Sequence, residues 1–397
     1  MLNTKKPIDF LQLADISSQI QAALKSESYR PDEYKKLGDL SASDVAKLLD
    51  ITTNNLYQQE KAGKLPQPST KLNGANMPVR HYKLQDVEVI RKILGKTPDP
   101  IIVNGVRRAA VLTMSNLKGG VGKSTIAIHV AQSMARRGYK VLLVDLDAQA
   151  TTTSSFDYVP MRDLTADDTL LNALIENPYD IERVIRKTYW HNLDLIPSHL
   201  DLQNADVIML TDEQAKLGSP VERVKNALDV IQDVYDVIII DTPPSASVLS
   251  LGSVIAADYL IVPLVANMPD IEATTQYFQT LNNLIQGFYG EDYFVQTKKV
   301  SILVNRFDKK REIPTINNKA PSEQQTNLSL LRSAFGALVL DSVIKQTPEM
   351  QRANNDMCSL YENKPRGGRD TYKAAIENME EVTDEVLRNI FMLAGDE

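Results

Sequence analysis

The chain has 397 residues, 43% hydrophobic and 24% charged, the balance of a soluble globular protein with room for more than one core. No apolar run approaches the roughly 20 residues that span a bilayer, and the N-terminus lacks a cleavable apolar core, so neither a membrane span nor a signal peptide is expected. The single cysteine, Cys358, excludes an internal disulfide and a cysteine-rich metal site within one chain, and suits a reducing cytoplasm.

The net charge of −7 is unevenly spread. Residues 1–110 hold 17 Lys and Arg against 12 Asp and Glu, whereas the remainder holds 27 against 39. A basic front end on an acidic body points to a polyanionic partner for the front end.

In chain order, residues 7–28 place Ile8, Leu11, Leu13, Ile16, Ile20 and Leu24 near helical spacing. They predict an amphipathic helix that packs either on a second copy of the chain or on its own domain. We assign residues 1–36 to this helix, with dimerisation as a candidate role, 37–105 to a front domain and 106–397 to the main body.

The front domain reads helix, turn, helix, hairpin, helix. Ser41 or Ser43 can cap the first helix, and Thr53 or Asn54 the second. Pro66, Pro68, Gly74 and Pro78 supply turns, a short strand is expected at Val79–Tyr82, and Gln85 or Asp86 opens the last helix.

From about residue 108 strands and helices alternate. The strands AVLTMSN, KVLLVDL, LDLIPS, DVIIIDT, YLIVPL, VSILVN and VLDSVI are nearly continuous apolar runs, as expected for strands covered on both faces. The pattern predicts an α/β fold with a doubly wound, mostly parallel sheet and a ligand at the carboxyl ends of its strands.

LKGGVGKST follows one such strand and opens a helix. Gly119, Gly120 and Gly122 let backbone N–H groups converge beside the positive end of that helix. Lys123 can then meet β- and γ-phosphates, and Ser124 a magnesium ion. Leu117 stands where the usual P-loop has glycine, and a second lysine, Lys118, follows it. DVIIIDTPP delivers Asp241 to a strand end, where it can hold the metal's water shell. KVLLVDLDAQA delivers Asp145 and Asp147, the latter better placed to orient an attacking water.

KGGVGKS, VDLDAQ and IIIDTPP in this order resemble the deviant Walker A ATPases, and more closely the ParA/SopA-type (type Ia) plasmid partition ATPases. The resemblance implies a P-loop fold, ATP or ADP with Mg²⁺ as cofactors, and an ATP-bound homodimer in which Lys118 crosses to the partner's nucleotide. It makes Lys118, Lys123 and Asp147 the catalytic residues. The nucleotide would be held by residues 118–125 (Lys118, Gly119, Gly120, Val121, Gly122, Lys123, Ser124, Thr125), by Asn305 and Arg306 of LVNRF, and by Pro348 and Met350 of TPEMQRANNDM. Ser124, Asp147 and Asp241 would hold the metal.

The same resemblance makes the front domain a winged helix-turn-helix that binds its own operator as an autorepressor. Thr52, Thr53, Asn54, Asn55 and Tyr57 would meet DNA from the second helix, with Lys64, Lys71 and Arg80 on or near the wing. Sequence-independent nucleoid binding would fall to Lys345, Arg352, Arg366 and Arg369. A ParB/SopB-like centromere-binding protein would stimulate a slow basal ATPase, and the protein would be cytoplasmic, nucleoid-associated and off the membrane. Two alternatives share these motifs: a nucleotide-sensing repressor with little hydrolysis, and a MinD-like positioning ATPase. The acidic C-terminal helix speaks against the second, since anionic lipid would repel it.

Overall fold

The front of the chain is built on two capped helices. In α1 (Ala42–Leu48) the Asp44 N–H donates to Ser41 Oγ and the Ser41 N–H donates back to Asp44 Oδ2, a reciprocal capping box. Helix α2 (Thr53–Lys61) is capped by Thr52, which accepts from the Asn55 N–H at 3.1 Å, one residue before the expected cap. Thr52 keeps extended backbone, and its carbonyl also accepts from the Leu56 N–H at 3.1 Å. An antiparallel hairpin of β1 (Ser69–Leu72) and β2 (Pro78–His81) follows, then α3 (Leu84–Ile93). Val45, Leu49, Leu56, Tyr82, Val87 and Ile90 are the buried core of this region.

The computed structural model describes residues 35, 37–72, 74, 76–211, 217–291, 299–308, 313–314, 319–362 and 368–395. The predicted helix at 7–28 and Arg366 lie outside the described residues, as does the side chain of Arg369. The chain divides after Lys36, and residues 37–397 are one unit.

Within that unit a seven-stranded sheet runs in the order β11-β10-β5-β9-β6-β8-β7. Its strands are β5 (Ala110–Met114), β6 (Val141–Asp145), β7 (Arg186–Lys187), β8 (Leu193–Ile196), β9 (Val237–Asp241), β10 (Tyr259–Val265) and β11 (Lys299–Asn305); two short strands, β3 (Ile102–Val103) and β4 (Val106–Arg107), pair separately. All neighbours in the large sheet are parallel except β7 with β8. Side chains alternate between the two faces as the pleat requires. Leu112, Leu143 and Ile239 face the layer that holds α4 (Lys123–Arg136) and α11 (Arg369–Phe391), while Val111, Val144 and Ile240 face the layer of α7 (Val248–Ala256).

The expected strand VLDSVI is not one. It runs beside β11, donates from Leu340 and Ile344 to Ile302 and Val304 and accepts at Ile344 O from the Phe307 N–H, but side chains take several of the backbone groups between. Glu385 accepts from Asp341 and Ser342, and Asn378 accepts from Lys345 and donates to Val343 O. The seventh strand is instead β7, too short and too polar to stand out in the sequence.

Helix α3 is packed on this layer. Leu84 belongs to the main core, and the buried Arg91 guanidinium donates to Arg136 O at 3.0 Å, at the carboxyl end of α4. Gly138 has φ +97°, and a Cβ there would lie 2.8 Å from Arg91 Nε. Glycine therefore serves both the backbone turn and the close approach of the arginine.

Candidate active site

The turn between β5 and α4 stands at the carboxyl edge of an interior strand, flanked by β10 and β9, as open α/β sheets place their ligands. Gly120 and Gly122 have φ of +76° and +99°, a conformation that side chains resist. A Cβ at Gly122 would also collide with the Asn305 amide. Asn305, at the end of β11, donates to Val121 O at 2.7 Å and accepts from the Arg306 N–H at 2.8 Å. The amide nitrogen thus ties the end of β11 to the glycine loop, and the oxygen braces the turn into Arg306.

Lys123 is buried, and its Nζ donates to Asn116 O at 3.1 Å and Lys118 O at 3.3 Å. Burial lowers its pKa, with Asp241 and Asp147 opposing. Lys118 turns the other way and forms an ion pair with Asp270, which lies in the first turn of α8 (Met268–Tyr289).

Asp241 and Asp145 end the neighbouring strands β9 and β6 and are both fully buried. Thr152, on the short helix α5 (Thr151–Ser155), donates to Asp241 Oδ2 at 2.7 Å. Asp241 Oδ1 is buried with no hydrogen-bond partner, which fits a group meant for a ligand rather than for the fold. Burial pushes the Asp241 carboxyl up, and the Ser124 and Thr152 hydroxyls pull it partly back. Burial and then Asp241 push Asp145 well above the carboxylate range. Asp145 is spent on structure: it accepts from the Thr153 N–H and hydroxyl at 2.8 and 2.7 Å and from the Asp147 N–H.

Asp147 lies past the strand end, not on it, and its side chain is only partly buried. Its Oδ1 accepts from the Gln149 N–H at 2.9 Å, and Ser198 Oγ donates to its carbonyl at 2.7 Å. The turn that follows passes through Ala150 at φ +52°.

Two cavities flank the loop. One, of about 460 Å³, is lined by Gly122, Thr125, Asn305, Arg306, Met350 and Asn354 among others. Met350 and Asn354 sit on α10 (Pro348–Asn355), where Pro348 opens the helix and is not among the lining residues. The second, of about 330 Å³, is lined by Lys118, Gly119, Gly120, Asn267, Asp270 and Arg306. An adenosine-sized group fits the first, which lies in the usual range for small-molecule sites.

The candidate DNA residues divide. Thr53, Asn54 and Asn55 are exposed on α2, and Lys64 is exposed just after it. Thr52 is occupied as a cap. Lys71 forms an ion pair with Asp39, and Arg80 lies 3.2 Å from the buried Glu60 carboxylate and 4.0 Å from the centre of the Tyr57 ring. Arg352 donates to Glu349, and Lys345 lies 4.0 Å from Glu381. The residues sequence reading missed are Asp270, Thr152, Asn116 and Ser198. Only Asn116, beside the glycine turn, and the Thr151–Thr153 run after the VDLDAQA strand gave any signal.

A glycine turn with two lysines, at the edge of a parallel sheet and beside two strand-end carboxylates, defines the P-loop class of α/β folds. The AAA domain family matches residues 109–290. A relative from Rhizobium rhizogenes that bears the name of a replication protein A is 30% identical, over 94% of this chain and 91% of its own. SopA of Escherichia coli K12 is 28% identical over 86% of each chain. A Borrelia burgdorferi structure described as a plasmid partition protein bound to AMPPNP is 27% identical, with a TM-score of 0.52 over 71% of this chain and 99% of that one. A further partition protein structure has a TM-score of 0.64 over 98% of this chain and 100% of its own, and at 22% identity it speaks for the fold alone. The chain belongs to the ParA/SopA-type family of plasmid partition ATPases. Among the described residues no helix is long and apolar enough to cross a membrane.

Proposed function

We propose that the chain is the ATP-dependent partition ATPase of a plasmid or low-copy replicon. It binds ATP with Mg²⁺ and dimerises. In the ATP state it holds nucleoid DNA through phosphates, and it represses its own operator through residues 37–105, read as a winged helix-turn-helix domain. A ParB/SopB-like centromere-binding partner stimulates an otherwise slow hydrolysis, and the protein works in the cytoplasm on the nucleoid.

The observation that carries this reading is Asp241 Oδ1, buried and unpartnered within the electrostatic reach of the buried Lys123. Ser124, Asp241 and Asp147 would hold the magnesium, directly or through water, and the ion would supply charge stabilisation to the transferring phosphoryl group. Lys123 neutralises phosphate charge from its own subunit, and the glycine turn orients it with backbone N–H groups. Asp147, tethered by Gln149 and Ser198, positions water. Lys118 serves the second subunit's phosphates after leaving Asp270, which ties hydrolysis to dimerisation.

The test is phosphate release by the full chain, with and without DNA and the partner, beside equilibrium binding of a fluorescent ATP analogue with and without Mg²⁺. Tight nucleotide binding without phosphate release under any of these conditions would favour the nucleotide-sensing repressor instead.

A further inference from the structure

A second set of polar contacts, partly buried, surrounds Glu362. Its Oε1 accepts from Gln132 Nε2 at 2.8 Å, Tyr189 Oη at 2.7 Å and Trp190 Nε1 at 2.9 Å, and its Oε2 accepts from the Ser359 N–H at 3.0 Å. The donors come from three places: α4, the link between β7 and β8, and the segment after α10. That last segment is pinned to α4 again through His129, whose Nε2 accepts from the Leu360 N–H at 3.0 Å while Nδ1 meets Thr125 O at 2.6 Å. Burial lowers the His129 pKa, in keeping with a neutral ring that donates at one nitrogen and accepts at the other.

Each end of this set reaches a different half of the active site. Cys358 N–H donates to Ala353 O at 2.9 Å, so residues 358–362 follow α10, whose Met350 and Asn354 line the larger cavity. On the other side the Tyr189 ring lies 6.0 Å from Phe156 and its hydroxyl 3.5 Å from Ser155 O. Those residues close α5, whose Thr152 and Thr153 hold Asp241 and Asp145. A carboxylate with four donors from three segments fixes those segments to one another, because freeing Gln132 or Trp190 leaves a buried polar group unpaired.

We infer that Glu362 is a positioning residue for hydrolysis: it couples filling of the larger cavity to the placement of α5 and the carboxylates that α5 holds. The inference rests on the nucleotide reading of that cavity and adds a route between its two halves. A base that enters against Met350 and Asn354 displaces α10, and residues 358–362 carry the shift to Tyr189 and Trp190.

Trp190 is the only tryptophan in the chain, so its emission reports on this set directly. In the full chain, a non-hydrolysable ATP analogue with Mg²⁺ should change Trp190 emission. Glu362→Gln should bind the analogue by calorimetry within about 3-fold of wild type, lose most of the emission change, and turn over roughly 10-fold more slowly at a nearly unchanged KM, a split that marks lost positioning rather than lost binding. Tyr189→Phe removes one hydroxyl from Glu362, should fall between the two, and remains informative if the glutamine variant fails to fold. An emission blind to nucleotide in wild type that binds it would overturn the proposal. So would variants that melt earlier yet respond and turn over normally, since Glu362 would then be structural. Absence of calorimetric binding by wild type would instead strike the nucleotide reading itself.

Discussion

Lys118, the first lysine of the glycine turn, is held by Asp270 of its own chain, not by the phosphate loop that carries it. Asp270 is buried, accepts also from the Val265 N–H at 3.2 Å, and is fixed by Asn267, which caps α8. The lysine is thus stored at the rim of the smaller cavity. Lys123 points inward to the loop carbonyls. Lys118→Ala should therefore bind ATP nearly as wild type but fail to form the ATP-dependent dimer, while Lys123→Ala should lose nucleotide binding and turnover together. Light scattering with and without ATP checks the first, and titration with a fluorescent analogue the second. A Lys118→Ala protein that dimerises and hydrolyses normally would remove the cross-subunit role.

Asp147 has the exposure and the tether of a residue that acts on water. Asp147→Ala should reduce phosphate release by roughly 100-fold or more, the usual worth of a group that assists proton transfer or orients the nucleophile. Nucleotide affinity should stay close to wild type, leaving an ATP dimer trapped on DNA. Rapid single-turnover measurements separate the two quantities. Near-normal turnover would shift the role to another carboxylate.

Asp241 and Asp145 predict an unusual pH dependence of stability. Burial raises both carboxyls above the unfolded value, so between the unfolded and folded titrations the native state binds more protons. The stability they contribute is complete below about pH 4 and is lost as pH rises through the raised folded values. Without nucleotide or Mg²⁺, unfolding free energy should decline from pH 5 towards neutrality. His129 gives the opposite slope in this window, because burial holds its pKa below the unfolded value, so the unfolded chain binds the extra proton there. The diagnostic quantity is therefore the difference between wild type and Asp241→Asn, whose profile should be flatter. Identical slopes in urea titrations at several pH values would contradict the assignment.

The phosphate turn, the alternation of strands with helices and the two-faced burial were legible because each is a local pattern: an apolar run, glycines before a lysine, an aspartate at a strand end. Features that depend on distant partners were not. Asp270 lies 152 residues beyond Lys118, and nothing in the MPDIEATT stretch marks it as an ion-pair partner. VLDSVI carries a strand pattern, yet Glu385 and Asn378 on α11 take the backbone groups a ladder would need. Asn305 stands out at the end of LVNRF, but only packing reveals that its amide nitrogen ties β11 to the glycine loop.

Docking of α3 on α4 bears on how the chain can be cut. Leu84 is buried in the same core as α4, and Arg91 closes the carboxyl end of the helix that begins at Lys123. A fragment beginning at Arg107 would expose that surface and leave Arg136 O without its guanidinium. It should melt below the full chain, and Leu84→Ala in the full chain should cost about 2–5 kcal/mol, the range for a large aliphatic side chain truncated in a core. Urea unfolding followed at Trp190 measures both. Equal stability of fragment and whole would mean the contact is energetically idle.

The front domain also permits a sharper forecast of which side chains read an operator. Lys71 and Arg80 face Asp39 and Glu60, so their charge is already spent within the fold, and Arg80 covers the Tyr57 ring. Thr53, Asn54 and Asn55 are exposed on α2, with side chains able to donate and accept at base edges. Asn54→Ala or Asn55→Ala, whichever side chain meets a base, should lower operator affinity by about 1–3 kcal/mol at its own base position while leaving binding to random DNA unchanged. Lys71→Ala should weaken neither by much, because that lysine is already paired with Asp39. Glu60→Gln should loosen the hairpin from α2, since Tyr82 Oη donates to this carboxylate at 2.6 Å and Arg80 leans on it. It should lower operator preference through disorder of the hairpin and reduce the melting temperature as well. Footprinting on the upstream region at two salt concentrations separates these cases, because lost phosphate contacts flatten the salt slope and lost base contacts do not. Loss of operator preference in Lys71→Ala with none in either asparagine variant would move the reading surface from α2 to the hairpin.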